Sequence, residues 1–86
     1  MNVIDCPEIL DVQPLENLNL LVKFKNGAKK LIDINPYLKR FSIFQELKNR
    51  AVFENVKVDS SGWGIVWNNR IDLSACDVWE YGKDIK

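Results

Sequence analysis

Gly62-Trp63-Gly64-Ile65-Val66-Trp67-Asn68-Asn69-Arg70-Ile71-Asp72-Leu73 reads as two strands joined by a polar turn, and it carries two of the three tryptophans. Side chains alternate faces along a strand, so a slip of one residue sends the whole apolar set to the wrong side. A two-residue loop at Asn68-Asn69 pairs Trp67 with Arg70 and Ile65 with Asp72. A three-residue loop pairs Trp67 with Ile71 and Ile65 with Leu73, which makes the better core. That register assigns Ile65, Trp67, Ile71 and Leu73 to the interior. Trp63, the tip Asn68, Asn69 and Arg70, and the outward Asp72 are left as candidate binding residues. Trp63 stands between two glycines beside a turn, and an exposed indole there is a natural interface anchor.

The same reasoning applies upstream. Leu18-Asn19-Leu20-Leu21-Val22-Lys23-Phe24 alternates, and Lys25-Asn26-Gly27 announces a hairpin. A three-residue loop with Gly27 left-handed in a bulge sets Phe24 against Ala28 and Leu20 against Ile32. Leu18, Leu20, Val22, Phe24, Ala28, Ile32 and Ile34 then share one face, and only Lys30 intrudes. Before this hairpin, Ile9 to Pro14 is a strand closed by a proline, which places it at an edge.

Between the hairpins the spacing turns helical. Asn35-Pro36 reads as an N-cap followed by proline in the first turn, with Tyr37, Leu38 and Phe41 as the apolar side. Ser42-Ile43-Phe44-Gln45 has the form of a capping box and opens a second helix through about Arg50, with Phe44, Leu47 and Ala51 facing the sheet. Glu46 stands where an apolar staple residue is expected. Glu54 to Asp59 returns as a strand, and Ser60-Ser61-Gly62 is a turn. Ser74-Ala75-Cys76-Asp77 is a second capping box, opening a helical turn with Val78 and Trp79 that ends at Tyr81-Gly82. Lys83 to Lys86 reads as a fraying tail.

The 86 residues make one domain, 1–86, with 47% hydrophobic and 28% charged residues. Expected is an α+β fold, a mostly antiparallel sheet of hairpins with two or three short helices packed on one face; parallel pairing is needed only across the helical excursion. The chain is expected to fold alone or as a small homo-oligomer. Twelve basic residues balance twelve acidic ones, so no global field steers it to nucleic acid. Lys23, Lys25, Lys29 and Lys30 surround one turn, a local patch of the kind that is usually a solvated face. Met1 to Pro7 shows no basic leader ahead of an apolar run, and nowhere do about 18 apolar residues stand together. A cytoplasmic, unanchored protein is therefore expected, with Cys6 and Cys76 favoured as two packed, reduced thiols over the one long-range disulfide that an oxidising compartment would allow.

Histidine is absent, which removes the commonest general base and metal ligand together. The two cysteines form no metal-binding spacing. Ser60 and Ser61 have no base to activate them. Asp59, Asp72 and Asp77 are better explained by a turn, an outward strand position and a helix cap than by catalysis. No enzyme activity, cofactor or metal is expected.

Val12-x-Pro14, Leu20-x-Val22-x-Phe24-x-Asn26-Gly27, Asp33, Phe44-x-x-Leu47, Phe53-x-x-Val56-x-Val58-Asp59 and Ile65-Val66-Trp67-x-Asn69 leading to Asp72-Leu73 together resemble a bacterial family known as domain of unknown function 2442. The likeness runs from about Ile9 to Trp79. It implies a small α+β module often encoded beside another small protein in the manner of toxin–antitoxin pairs. An interaction or regulatory module, the antitoxin-like half of a gene pair, is thus the leading expectation, with a neighbouring gene product as partner. The alternative is a small-molecule-binding domain with a pocket between helices and sheet, using Asp72, Arg70 and Tyr37 or Tyr81. The resemblance implies that relatives usually carry glycine where this chain has Arg70; either Asn69 takes a left-handed role, at roughly 1 kcal/mol, or the turn differs from the family's form.

Overall fold

The computed structural model describes residues 6–85. The expectation drawn from the first five residues, and the end of the fraying tail at Lys86, lie outside them. Among the described residues the strands form two antiparallel sheets. The first has the order β1 (Ile9–Pro14), β2 (Asn19–Phe24), β3 (Lys29–Asp33) and β7 (Lys83–Asp84); the second runs β4 (Lys57–Val58), β5 (Gly64–Asn68) and β6 (Ile71–Ser74). Helices α1 (Asn35–Arg40), α2 (Arg50–Phe53) and α3 (Ala75–Tyr81) are short, and a 3-10 segment spans Ser42–Lys48. The α+β class holds. The single sheet becomes two, and every pairing is antiparallel.

The first hairpin has the register its apolar pattern demands. Leu20 faces Ile32, the Phe24 amide donates to the Ala28 carbonyl at 2.9 Å, and Gly27 is left-handed at φ +93°. Leu20, Val22, Phe24, Ile32 and Ile34 are buried, and β1 stands at the edge. Lys30 does intrude, and it is accommodated: only 8% exposed, it sets its ammonium 4.4 Å from the Trp79 ring centre and 3.2 Å from Asp84. Its methylene stem packs while its charge finds an indole face and a carboxylate.

The second hairpin departs from expectation at its tip. Ile65 faces Leu73 as foreseen, but Asn68 and not Trp67 faces Ile71, with an irregularity between Val66 and Asn68. The turn is therefore Asn69-Arg70, and the extra residue sits in the strand. Asn68 Oδ1 accepts from the amides of Arg70 (2.9 Å) and Ile71 (3.1 Å), which closes the turn through a side chain. Neither Asn69 nor Arg70 has positive φ. Arg70 thus sits in the turn without backbone strain.

The helical excursion is corrected as well. Ser42 caps nothing; the segment it opens is 3-10, and Gln45 donates instead to the Leu38 carbonyl at 2.7 Å. A new turn of helix starts after Asn49, whose Oδ1 accepts from the Ala51 amide at 3.0 Å. Two residues of offset rotate Ala51 to the exterior, while Phe44, Leu47 and Phe53 remain buried. Asn35 lies inside α1 and is not its cap: its amide and side chain both donate to Asp33 Oδ1, at 2.9 and 2.8 Å. Of α1's expected apolar side, Tyr37 and Leu38 are buried and Phe41 is 45% exposed. The strand expected over 54–59 is reduced to Lys57–Val58.

The capping box at Ser74 forms, its hydroxyl accepting from the Asp77 amide at 3.1 Å. Beyond α3 the chain does not fray at once: Lys83 and Asp84 pair with Leu31 and Lys30. Cys6 and Cys76 are joined as a disulfide, with Cα atoms 5.2 Å apart, across a separation of 70 residues. Two separate thiols are replaced by a clip between the start of the described chain and the first turn of α3, at an ordinary disulfide span. No helix among the described residues is long and apolar enough to cross a membrane.

Candidate functional site

Trp63 and Asp72 come together; the hairpin tip does not join them. Trp63 is 51% exposed and rims a shallow depression of 320 Å³ with Asp59, Ser61, Asp72 and Ser74, floored by Gly64 and Val66. Gly64 permits this floor: a Cβ there would lie 2.8 Å from the Leu73 carbonyl oxygen. Ser61 organises the rim. Its hydroxyl donates to Asp59 Oδ2 and accepts from the Trp63 amide at 3.2 Å, so one turn fixes a carboxylate and the indole's backbone together. The Ser61 hydroxyl first, then the Ser61 and Ser60 amides, hold the Asp59 pKa below the ordinary carboxylate value. Asp59 is thus a fixed anion at neutral pH.

The backbone adds a free edge. Ala75 donates to the Trp63 carbonyl at 2.8 Å and Asp59 to the Gly64 carbonyl at 2.9 Å. Main-chain groups alternate sides along an antiparallel strand, so Trp63 and Ile65 bond toward β6 while Gly64 and Val66 bond toward β4. On β6 it follows that Leu73 faces β5, whereas Asp72 and Ser74 turn their amides and carbonyls outward. Among the described residues no cation lines the depression; Lys57, opposite Val66 on the same face, stays outside it.

The hairpin-tip candidates lie outside this depression. Asn68 closes its turn, Asn69 is exposed in it, and Arg70 is tied to Glu46. The basic patch is reduced: Lys25 pairs with Glu8 at 2.7 Å and Lys30 is buried, leaving Lys23 and Lys29 as cross-strand neighbours.

A second concavity, which the sequence announced only through Tyr37 and Tyr81, lies between α1, β3 and the segment after α3. Its volume is 380 Å³, and it is lined by Asn19, Leu31, Asp33, Pro36, Tyr37, Arg40, Tyr81 and Lys83 among others. Arg70 and Asp72, expected in such a pocket, are absent from it. Burial first, then the nearby Asp77 carboxylate and Tyr81, raise the Tyr37 pKa above its ordinary value, against a lowering by Arg40. The Tyr37 phenol therefore stays protonated and able to donate. Lys83 enters this site only because β7 pairs with β3, a long-range event that no local pattern signals.

The family model for DUF2442, described as a protein of unknown function, matches residues 9–84. The chain belongs to the DUF2442 family. No curated protein and no solved structure matches it. Membership in DUF2442 assigns no activity to either concavity.

Proposed function

We propose that this DUF2442 domain is a non-enzymatic protein-interaction module that receives a basic, extended partner segment at the Trp63 edge. The observation that carries this reading is a depression that the half-exposed Trp63 lines together with two carboxylates, Asp59 and Asp72, and that no cation among the described residues lines. An indole face and carboxylates together favour a lysine or arginine side chain. The outward main-chain groups of Asp72 and Ser74 offer the hydrogen bonds of an added strand. The resemblance noted above supports a small protein from a neighbouring gene as the partner, with this chain as the antitoxin-like, regulatory half. Co-expression and titration of the neighbouring gene product against the wild type, Trp63→Ala and Asp72→Asn tests it. Micromolar or tighter binding that weakens at least tenfold in Trp63→Ala is expected; equal binding by all three, or no complex, overturns it.

The groove at Tyr37 supports a second reading, a small-molecule-binding domain. Its volume lies in the lower part of the range of small-ligand sites, and it combines an apolar floor with a few convergent polar groups. Ligand-induced changes confined to the amides around Leu31, Tyr37 and Tyr81 test that reading.

A further inference from the structure

We infer that the groove between α1, β3 and β7 binds a flat organic monocarboxylate, an inference that rests on the small-molecule reading of this site. Arg40 and Lys83 both line the groove, and neither forms an ion pair among the described residues. Arg40 instead sets its guanidinium 5.4 Å from the Phe41 ring centre, which leaves its fork of donors open to an incoming anion. One carboxylate shares the lining, but Asp33 Oδ1 is already taken by the amide and side chain of Asn35. Cations thus outnumber the anion.

The backbone adds a donor. The Phe24–Ala28 and Ile34–Leu18 hydrogen bonds direct Lys30, Ile32 and Ile34 toward β2, so Lys29, Leu31 and Asp33 direct their main-chain groups to the opposite side. There β7 covers Leu31 with Lys83 and ends, leaving the Asp33 amide facing the groove. The phenols of Tyr37 and Tyr81 supply further donors, and their rings with Leu31 and Pro36 form apolar walls suited to a flat body. Asp77, in the depression beyond Tyr37 and Arg40, disfavours a second negative charge and so a dianion.

Amide chemical-shift titration of the whole chain with benzoate, benzamide and benzylamine tests the inference, alongside Arg40→Met and Lys83→Met. Both side chains are exposed, and an unchanged amide spectrum verifies each variant's fold. Benzoate is expected to shift the Leu31, Asp33, Tyr37 and Tyr81 amides saturably, benzamide to bind at least tenfold more weakly, and Arg40→Met to lose about tenfold, the scale of one charge-assisted contact. If benzamide or benzylamine binds in the groove as well as benzoate, or if Arg40→Met binds benzoate unchanged, the carboxylate inference falls and the pocket reading survives. If no probe shifts these amides, both fall.

Discussion

Arg70 Nη2 lies 2.7 and 2.9 Å from the two carboxylate oxygens of Glu46, tying the β5–β6 turn to the 3-10 segment 24 residues earlier. The residue that stands where the resemblance noted above implies glycine and the residue that breaks the staple pattern are therefore partners. Because Arg70 needs no positive φ, glycine there gains no relief of strain and adds freedom to the unfolded chain. The Arg70→Gly variant should lose about 1 kcal/mol in urea denaturation, the pair being half exposed and so of modest worth. Glu46→Gln should lose less, and the double variant should show the coupling. A more stable Arg70→Gly would mean that the turn takes the family's left-handed form.

The Cys6–Cys76 clip closes a loop spanning 70 residues. Chain-entropy arguments place the stabilisation from such a loop at about 4 kcal/mol, and measured values commonly fall short of that. Oxidised protein should therefore outlast reduced protein in denaturant by between about 2 and 4 kcal/mol. The Cys6→Ser/Cys76→Ser variant should respond to no reductant. Identical denaturation with and without reductant would show that the two thiols do not pair.

Elements whose reasons are local were legible from residues alone. The first hairpin follows from Gly27 and an unbroken alternation, the last helix from Ser74 and Asp77, and the edge position of β1 from Pro14. The illegible features depend on which partner a side chain takes or on pairing with a distant strand. Asn68 outcompetes the simple loop by hydrogen-bonding two amides, and Gln45 bonds back to Leu38 and not across a cap. The pairing of β7 with β3 rests on residues more than fifty positions away, whose charges alone read as a tail. For the site, Trp63 with Asp72 could be foreseen as an exposed pair. Asp59 and Ser61 read as turn residues, and the turn is what ties them to the Trp63 backbone.

Lys30 offers a test of how a buried ammonium is held. Its stem is packed and its charge meets Trp79 and the largely exposed Asp84. Lys30→Met keeps the packing and removes the cost of desolvating the charge, so stability should stay within about 1 kcal/mol of wild type. Lys30→Ala removes the stem and should lose about 1.5 kcal/mol. Both variants should change tryptophan emission, since Trp79 loses the cation over its ring. A severe loss in Lys30→Met would mean that the charge, and not the stem, holds the sheet to α3.

Tyr37 links the groove to alkaline stability. Its ring is 9% exposed, and burial, Asp77 and Tyr81 all favour the neutral phenol, so its folded pKa lies above the ordinary 10.0. A group whose pKa is raised on folding contributes stability that is fully present below its unfolded pKa and is lost as pH rises through the folded one. Below about pH 9 the wild type should therefore show no dependence on Tyr37 ionisation. Above about pH 10 its stability should fall, because the unfolded chain releases the phenolic proton first. Tyr37→Phe keeps the ring and removes the ionisation, so its stability should fall less steeply over the same alkaline range. Urea denaturation of both proteins at stepped pH gives the difference directly. Parallel curves would show that the Tyr37 phenol titrates as it does in the unfolded chain, and would remove the reason for treating it as a fixed donor in the groove.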